Sequence, residues 1–498
     1  MPDRPEPGVC VDEFEQLMSP TIFSGDNLGD IPDAATLSAY EHWWTTWGQL
    51  ISGAVDRAGT PWLRMFDRAG IRRDEICYSP DYWTMLRKGY REGIIARVFE
   101  QQSLLPFYRI GYITAFHDPG LYCPYTVSLA TAVPLEKYGS EALKTRFLAH
   151  LLRIDDATWQ GATWMTEIKG GSDLGANVET TAREQGDHWY LSGDKYFASN
   201  LGAELAVVAA RPNDALRDVR GLALFLVPRL KENGTLNYTI RRIKDKIATR
   251  SVPTGEIELR DSEAWLLGSR EQGVYLILEV LNISRVANSI ASVALAQRAM
   301  AEAVAFARQR KAFGKAIIDH PLLRRQFHER RRDLQAAMAL ACKAAEMLNA
   351  VWRQTPPYDD QYHLFRLLAH LAKYWTAEFA AQTCKWAMEV HGGLGILAEY
   401  PVERWFREAM ILSIWEGTAH RQVLDGLEVM QRKYAHKLLF EQLRPVADQN
   451  ALADIEARVA QHLQRPADDQ EAGAEILFGD LARFTAETFR NGSTQVTG

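Results

Sequence analysis

The stretch Ile414-Trp415-Glu416-Gly417-Thr418-Ala419-His420 sets one carboxylate between an indole and a glycine, near the end of a long helical region. Burial beside apolar groups disfavours the charged form of a carboxylate and raises its pKa. A base of that kind works near neutral pH, so Glu416 is the candidate for removing a carbon-bound proton. Three other stretches carry groups suited to holding a ligand. Met165-Thr166-Glu167-Ile168-Lys169-Gly170-Gly171-Ser172-Asp173 offers backbone N–H groups and hydroxyls in a glycine loop beside a strand. Such a loop suits a phosphate or the rim of a flat ring such as a flavin. Lys195-Tyr196-Phe197-Ala198-Ser199-Asn200 ends a strand with an aromatic for stacking and a hydroxyl for hydrogen bonding. Arg310-Lys311-Ala312-Phe313-Gly314-Lys315 places a cation and an aromatic close together, as a pyrophosphate and an adenine would require.

Each piece has a plainer reading in isolation: a tight loop, a strand capped by a turn, a basic helix end facing its own dipole, an exposed helix-end glutamate. The turn His391-Gly392-Gly393-Leu394-Gly395 follows a helix and not a strand, so a dinucleotide-binding Rossmann reading fails. His391 and His420 lack partners at metal spacing and are read as hydrogen-bonding or packing residues, with no metal expected.

The elements that must position these residues follow from pattern. A chain of 498 residues suggests two to four domains. Its 47% hydrophobic and 24% charged content is that of an ordinary globular protein. A net charge of −6 and a pI of about 6.1 do not point to a polyanion binder. Five scattered cysteines without a CxxC fit reduced thiols, hence an expected cytoplasmic location. No secretory signal or membrane span is read.

Residues 1–34, acidic and rich in Pro, Gly and Ser, are expected to wrap a surface. From Leu37 to Tyr112 the pattern is helical, with a cap at Ser79-Pro80-Asp81. Short β-branched and aromatic runs between 188 and 259, with no helical pattern between them, indicate a small antiparallel sheet or barrel. Helical periodicity returns at Glu271, with Ile283, Val286, Ile290, Val293, Ala296, Met300 and Val304 on one stripe. The expected fold is mainly α with a central β module. It divides into an N-terminal extension and helical domain (1–157), a middle β-barrel (158–270), a C-terminal four-helix domain (271–437) and a helical extension (438–498). The best ligand crevice lies where the three main parts meet.

Taken jointly, the motifs resemble the acyl-CoA dehydrogenase superfamily from about 110 to 435. Met165-Thr166-Glu167 with Gly171-Ser172-Asp173 looks like the family's TE-x-x-GSD flavin loop, and Lys195 to Ser199 like its K-x-W-I-T strand. Arg310 and Phe313 match the R-x-x-FG pair that reaches a neighbouring subunit's FAD. Gly392-Gly393 with Glu399 to Arg404 looks like the GG-x-G…EYPVER segment, and Trp415 to Thr418 like the YEGT motif of the catalytic base. The resemblance implies one FAD per subunit and a homotetramer. It also implies α,β-dehydrogenation of an acyl thioester, with Glu416 taking the α-proton and flavin N5 the β-hydride. The implied cofactor-binding set is Met165, Thr166, Ser172, Phe197, Ser199, Arg310, Phe313, Glu389, Gly392, Gly393 and Thr418. Arg285 is the implied substrate contact near the thioester end of CoA. Electrons would pass to a transfer partner or to oxygen.

Within the superfamily, Gly120 to Thr126, Ile243 to Ser251 and Trp265 to Gly268 resemble the alkylation-response branch, some of whose members bind DNA through a basic C-terminal region. The tail 438–498 carries five Arg and no Lys against ten acidic residues, −5 net, which speaks against nucleic acid binding. Three departures stand out. Glu389 replaces the usual Gln before the Gly-Gly turn, and Ala248 replaces a Gly. Asn282-Ile283-Ser284-Arg285 stands where D-x-E-R is usual. Loss of that Asp removes support for ordinary straight-chain CoA binding and leaves open a flavin oxidase on an unusual, carrier-bound substrate. Ser284 occupies the position where some members carry their base, which leaves Glu416 as the family-supported candidate.

Overall fold

The computed structural model describes residues 14–20 and 34–495. Of the surface-wrapping segment expected over 1–34, all but 14–20 and residue 34 lies outside the described residues. Within 14–20, Phe14 packs against the Phe327 ring at 5.5 Å, and Gln297 donates to the Ser19 carbonyl at 2.5 Å.

The N-terminal part contains helices α1 (Ala34–Trp43) and α2 (Gln49–Ala58), then strands β1 (Trp62–Phe66) and β2 (Arg72–Cys77). Helices α3 (Pro80–Arg91), α4 (Ala96–Glu100), α5 (Leu105–His117), α6 (Pro119–Tyr138), α7 (Glu141–Leu143) and α8 (Ala149–Leu151) follow. The β1–β2 hairpin corrects the reading of 37–112 as wholly helical. Ser79 caps α3 by accepting from Tyr82 N, as its type and position imply. Asp118 caps α6 in the same way through Leu121 N.

The middle sheet is built from β3 (Gly161–Trp164), β4 (Thr181–Gln185), β5 (His188–Ser199), β6 (Leu205–Pro212), β7 (Ala223–Pro228), β8 (Thr239–Ile243) and β9 (Thr254–Leu267). It is mixed and not antiparallel as expected, because β6 runs parallel to both β3 and β4. Strand β6 is buried along its whole length because it separates two cores. Leu205, Val207 and Ala209 face the helices, while Ala206, Val208 and Ala210 face Trp164, Phe225 and Ile257 inside the sheet. The two-residue period of a strand makes that division possible.

The C-terminal part comprises α9 (Gly273–Gln309), a short β10–β11 hairpin (Lys311–Ala312, Lys315–Ala316), α10 (Pro321–Val351) and α11 (Asp360–His391). Helices α12 (Val402–Ile414), α13 (Ala419–Lys433), α14 (Ala435–Leu443), α15 (Gln449–Leu463) and α16 (Ala467–Gln495) complete it. Helix α9 is long and apolar enough to cross a bilayer, but 89% of its most apolar window is buried inside the fold. Alanines 287, 291, 294 and 301 let its neighbours approach closely. Mainly helical ends around a central sheet is the expected fold class.

Candidate active site

Glu416 lies in the turn between α12 and α13, half-buried, with φ 58°. That left-handed backbone costs a non-glycine residue roughly 1–2 kcal/mol, and Gly417 at φ 100° continues the bend at no steric cost. Three side chains hold the turn through its carbonyls. Gln422 Nε2 donates to Glu416 O at 3.0 Å and to Gly417 O at 3.1 Å. Lys373 Nζ donates to Gly417 O at 2.7 Å, and Arg285 Nε reaches Glu416 O at 3.3 Å. Among the described residues no hydrogen bond reaches the Glu416 carboxylate. Burial pushes it up to about 7, with Arg285 and then Lys373 opposing. Arg285 is itself ion-paired with Asp425 at 3.2 Å and holds Asn282 Oδ1 at 3.2 Å. Ser284, in the place of the alternative base, only bonds back to Val280 O. Trp415 is fixed by Asn288, and Thr418 is the N-cap residue of α13.

The glycine loop is tied to β5 and through it toward this corner. Tyr196 N donates to Thr166 O at 3.0 Å, and Lys195 Nζ to Glu167 Oε1 at 2.6 Å. Glu167 also accepts from Glu179 N, Thr180 N and Thr180 Oγ1. It is thus the strut of the loop, and leaves Gly171, Ser172 and Asp173 exposed. Burial pushes Glu167 up, but Lys195 and these hydrogen bonds hold it below the usual carboxylate range. Phe197, at the end of β5, is 53% exposed despite its size, with the Lys244 ammonium 4.7 Å from its ring centre. Ser199 Oγ lies 3.1 Å from Thr254 Oγ1, which accepts from Lys246 Nζ at 3.0 Å. Helix α12, which ends just before Glu416, is tied to the 247–249 loop through Arg407 and Glu408 and to the N-terminal helices through Arg404 and Asp118, which brings the three parts together along it.

The remaining residues of the expected set lie elsewhere in the same chain. His391, stacked on Phe306 at 4.3 Å, places the 389–393 turn at the far end of α9. Gly392 has φ 61°, and nothing within 4 Å meets a Cβ at Gly392 or Gly393. Glu389 is exposed and pairs with Lys385. Arg310 follows the last turn of α9, and Phe313 in the hairpin turn is 97% exposed. Phe306 is 21 residues from Arg285, so this second group is about 30 Å along α9 from the Glu416 corner. The contacts tie the loop with Met165, Thr166 and Ser172 to the strand that carries Phe197 and Ser199, and tie Arg285 to the Glu416–Thr418 turn, while Arg310, Phe313, Glu389, Gly392 and Gly393 lie toward the far end of α9.

Sequence reasoning missed Lys373, Gln422 and Asp425, which build the turn around Glu416. It also missed Glu408, whose buried carboxyl accepts from Thr249 N at 2.9 Å and is pushed by burial up to about 7. Lys373 had one visible signal, a lone charge in the apolar run His370 to Ala377 of a helix; the other three had none.

Three family models match in chain order. They are the adaptive response protein AidB N-terminal domain over residues 29–155, the acyl-CoA dehydrogenase middle domain over 162–262 and the acyl-CoA dehydrogenase C-terminal domain over 271–430. The chain is 29% identical over 408 residues to acyl-CoA dehydrogenase family member 11 of Caenorhabditis elegans. That match covers 78% of this chain and 66%, about two thirds, of the relative. It is 28% identical over 447 residues to the putative acyl-CoA dehydrogenase AidB of Escherichia coli, covering 85% of this chain and 79% of that one. The solved structure of C. elegans ACDH-11 in complex with C11-CoA superposes with a TM-score of 0.82 at 25% identity, covering 93% of this chain and 84% of that one.

Proposed function

The chain belongs to the acyl-CoA dehydrogenase family, and from that premise we propose that it dehydrogenates an acyl thioester across its α,β bond with Glu416 as the base. Enzymes of this family are FAD-dependent oxidoreductases, and the residues present fit that group. The exposed Phe197 ring offers a stacking face, the 165–173 loop offers free backbone N–H groups, and Ser199 offers a hydroxyl. Met165, Thr166, Ser172, Phe197, Ser199 and Thr418 would hold the flavin, which when bound supplies the two-electron acceptor for the β-hydrogen.

The observation that carries the reading is a half-buried carboxylate with no hydrogen bond, held near neutral pH at the meeting of all three parts. Such a group takes a proton from carbon without first surrendering a strong partner. Arg285, paired with Asp425, gives the polar end of the site a fixed cation. Asn282, whose Oδ1 accepts from Arg285 Nη1, puts a neutral amide where relatives of D-x-E-R type carry a carboxylate. The separation of Arg310, Phe313 and the 389–393 turn from Glu416 supports a homotetramer in which a second copy completes each FAD site. An acyl-CoA substrate is supported by the relative solved with C11-CoA.

The test is anaerobic bleaching of the FAD-loaded protein against a panel of acyl thioesters on CoA and on carrier protein, for wild type and Glu416→Gln. Bleaching by wild type alone is expected; equal rates in both would sink the base assignment. The acidic tail gives a second expectation: duplex DNA is not retained at low salt in an electrophoretic shift, and salt-sensitive retention would favour a protective, nucleic-acid-binding role.

A further inference from the structure

Lys373 on α11 is 1% exposed and belongs to none of the motifs above. Its ammonium is aimed at main-chain oxygens: Nζ donates to Gly417 O at 2.7 Å and to Ser413 O at 3.2 Å. Ser413 is in the last turn of α12, and Gly417 follows the base directly. One cation therefore grips the chain on both sides of Glu416, in a segment whose backbone has positive φ at two successive residues. A strained turn of this kind persists only where its surroundings hold it. Gln422, whose Oε1 lies 2.9 Å from His370 Nδ1, shares the Gly417 carbonyl with Lys373 and also holds that of Glu416.

We propose that Lys373 is a positioning residue for the dehydrogenation, fixing the direction of the Glu416 carboxylate through Ser413 O and Gly417 O while its charge favours the ionised base. The proposal rests on Glu416 being that base. Arg366 on α11 also faces this corner, beside Arg285 and His370. Arg285 from α9 and Arg421 from α13 share Asp425. His370 on α11 is held neutral, pushed by burial down to about 3. Cys123 on α6 is pushed by burial up to about 12. Glu378, further along α11, adds a weaker pull on Lys373. Among the described residues Lys373 has no acidic partner within ion-pair distance, and Glu416 exerts the larger of the two carboxylate pulls on it. Burial pushes Lys373 down to about 7, with Glu416 opposing. A neighbouring cation lowers a carboxylate's pKa, and its removal raises it.

Two readouts test this on full-length, FAD-loaded protein. One is the pH dependence of anaerobic flavin reduction by an acyl thioester. The other is an infrared titration of the Glu416 carboxyl without substrate, each protein taken against its own Glu416→Gln derivative. Lys373→Met is expected to move both midpoints up by about one unit, a tenfold loss of ionised base below them. Lys373→Arg, charged throughout the range, is expected to move them down and to keep the rate above pH 7. Midpoints that coincide in wild type and variants would overturn the proposal. If Lys373→Met fails to fold, Lys373→Arg decides alone, an unmoved infrared midpoint counting against the proposal. Failure of the base assignment is distinct: Glu416→Gln would then bleach as fast as wild type, whatever the infrared midpoints do.

Discussion

Glu167 and Glu416 each lie beside a buried lysine, Lys195 and Lys373. At the first, ammonium and carboxylate meet at 2.6 Å, and three further donors saturate the oxygens. At the second, the ammonium binds two carbonyls and leaves the carboxylate bare. The ingredients are alike and the outcomes opposite, since Glu167 is held below the ordinary range and Glu416 is pushed up to about 7. What differs is where the donors point. A carboxylate with every lone pair filled is a strut, and one whose lysine neighbour is occupied elsewhere keeps its affinity for a proton.

The largest expected effect separates the two by rate. Glu416→Gln should slow flavin reduction by roughly 10²–10⁴-fold without lowering the urea midpoint. Lys195→Met should do the reverse. Removing one partner of a buried pair costs about 3–5 kcal/mol, read as a lowered urea midpoint; a fall below 1 kcal/mol would break the contrast. The pH dependence of stability comes next. Glu167, with its folded pKa depressed, contributes stability above its unfolded pKa that is lost as pH falls through the folded one. Glu408 and Glu416, with folded pKa values raised, act oppositely, so stability falls as pH rises from about 4.3 to about 7. Glu408→Gln should therefore gain on wild type between pH 5 and pH 8, by on the order of 1 kcal/mol; equal urea midpoints at both pH values would contradict this. Smallest is the control in the same loop. Lys169 and Glu179 form an exposed pair at 2.8 Å, and Lys169→Ala should leave the urea midpoint close to wild type, because solvent screens such a pair.

The residues proposed to touch a ligand were more legible than those that support them. Glu416, Phe197 and the 165–173 loop stand in short motifs, because their neighbours in sequence are also their neighbours in space. Lys373 reaches Gly417 across 44 positions and Glu408 reaches Thr249 across 159, separations to which no local pattern responds. The β1–β2 hairpin was lost for a different reason. Arg72 to Ile76 holds four charged residues, and β1 alternates only between exposed and half-buried positions, so neither strand shows the period of a buried face. The mixed direction of the sheet was equally silent, because the inward and outward alternation of β6 is the same whether its partner runs with it or against it.

Helix α12 ends just before Glu416, and two to three turns upstream it is fastened to both other parts of the molecule. Arg404 binds Ser52 and Asp118, Arg407 binds Asp56 and the Ile247 carbonyl, and Glu408 binds the Thr249 amide. The rod that carries Glu416 is thus anchored where all the lobes cross. Warming that loosens the N-terminal lobe would slacken these anchors first, so turnover should fade at temperatures where circular dichroism still reports full helix.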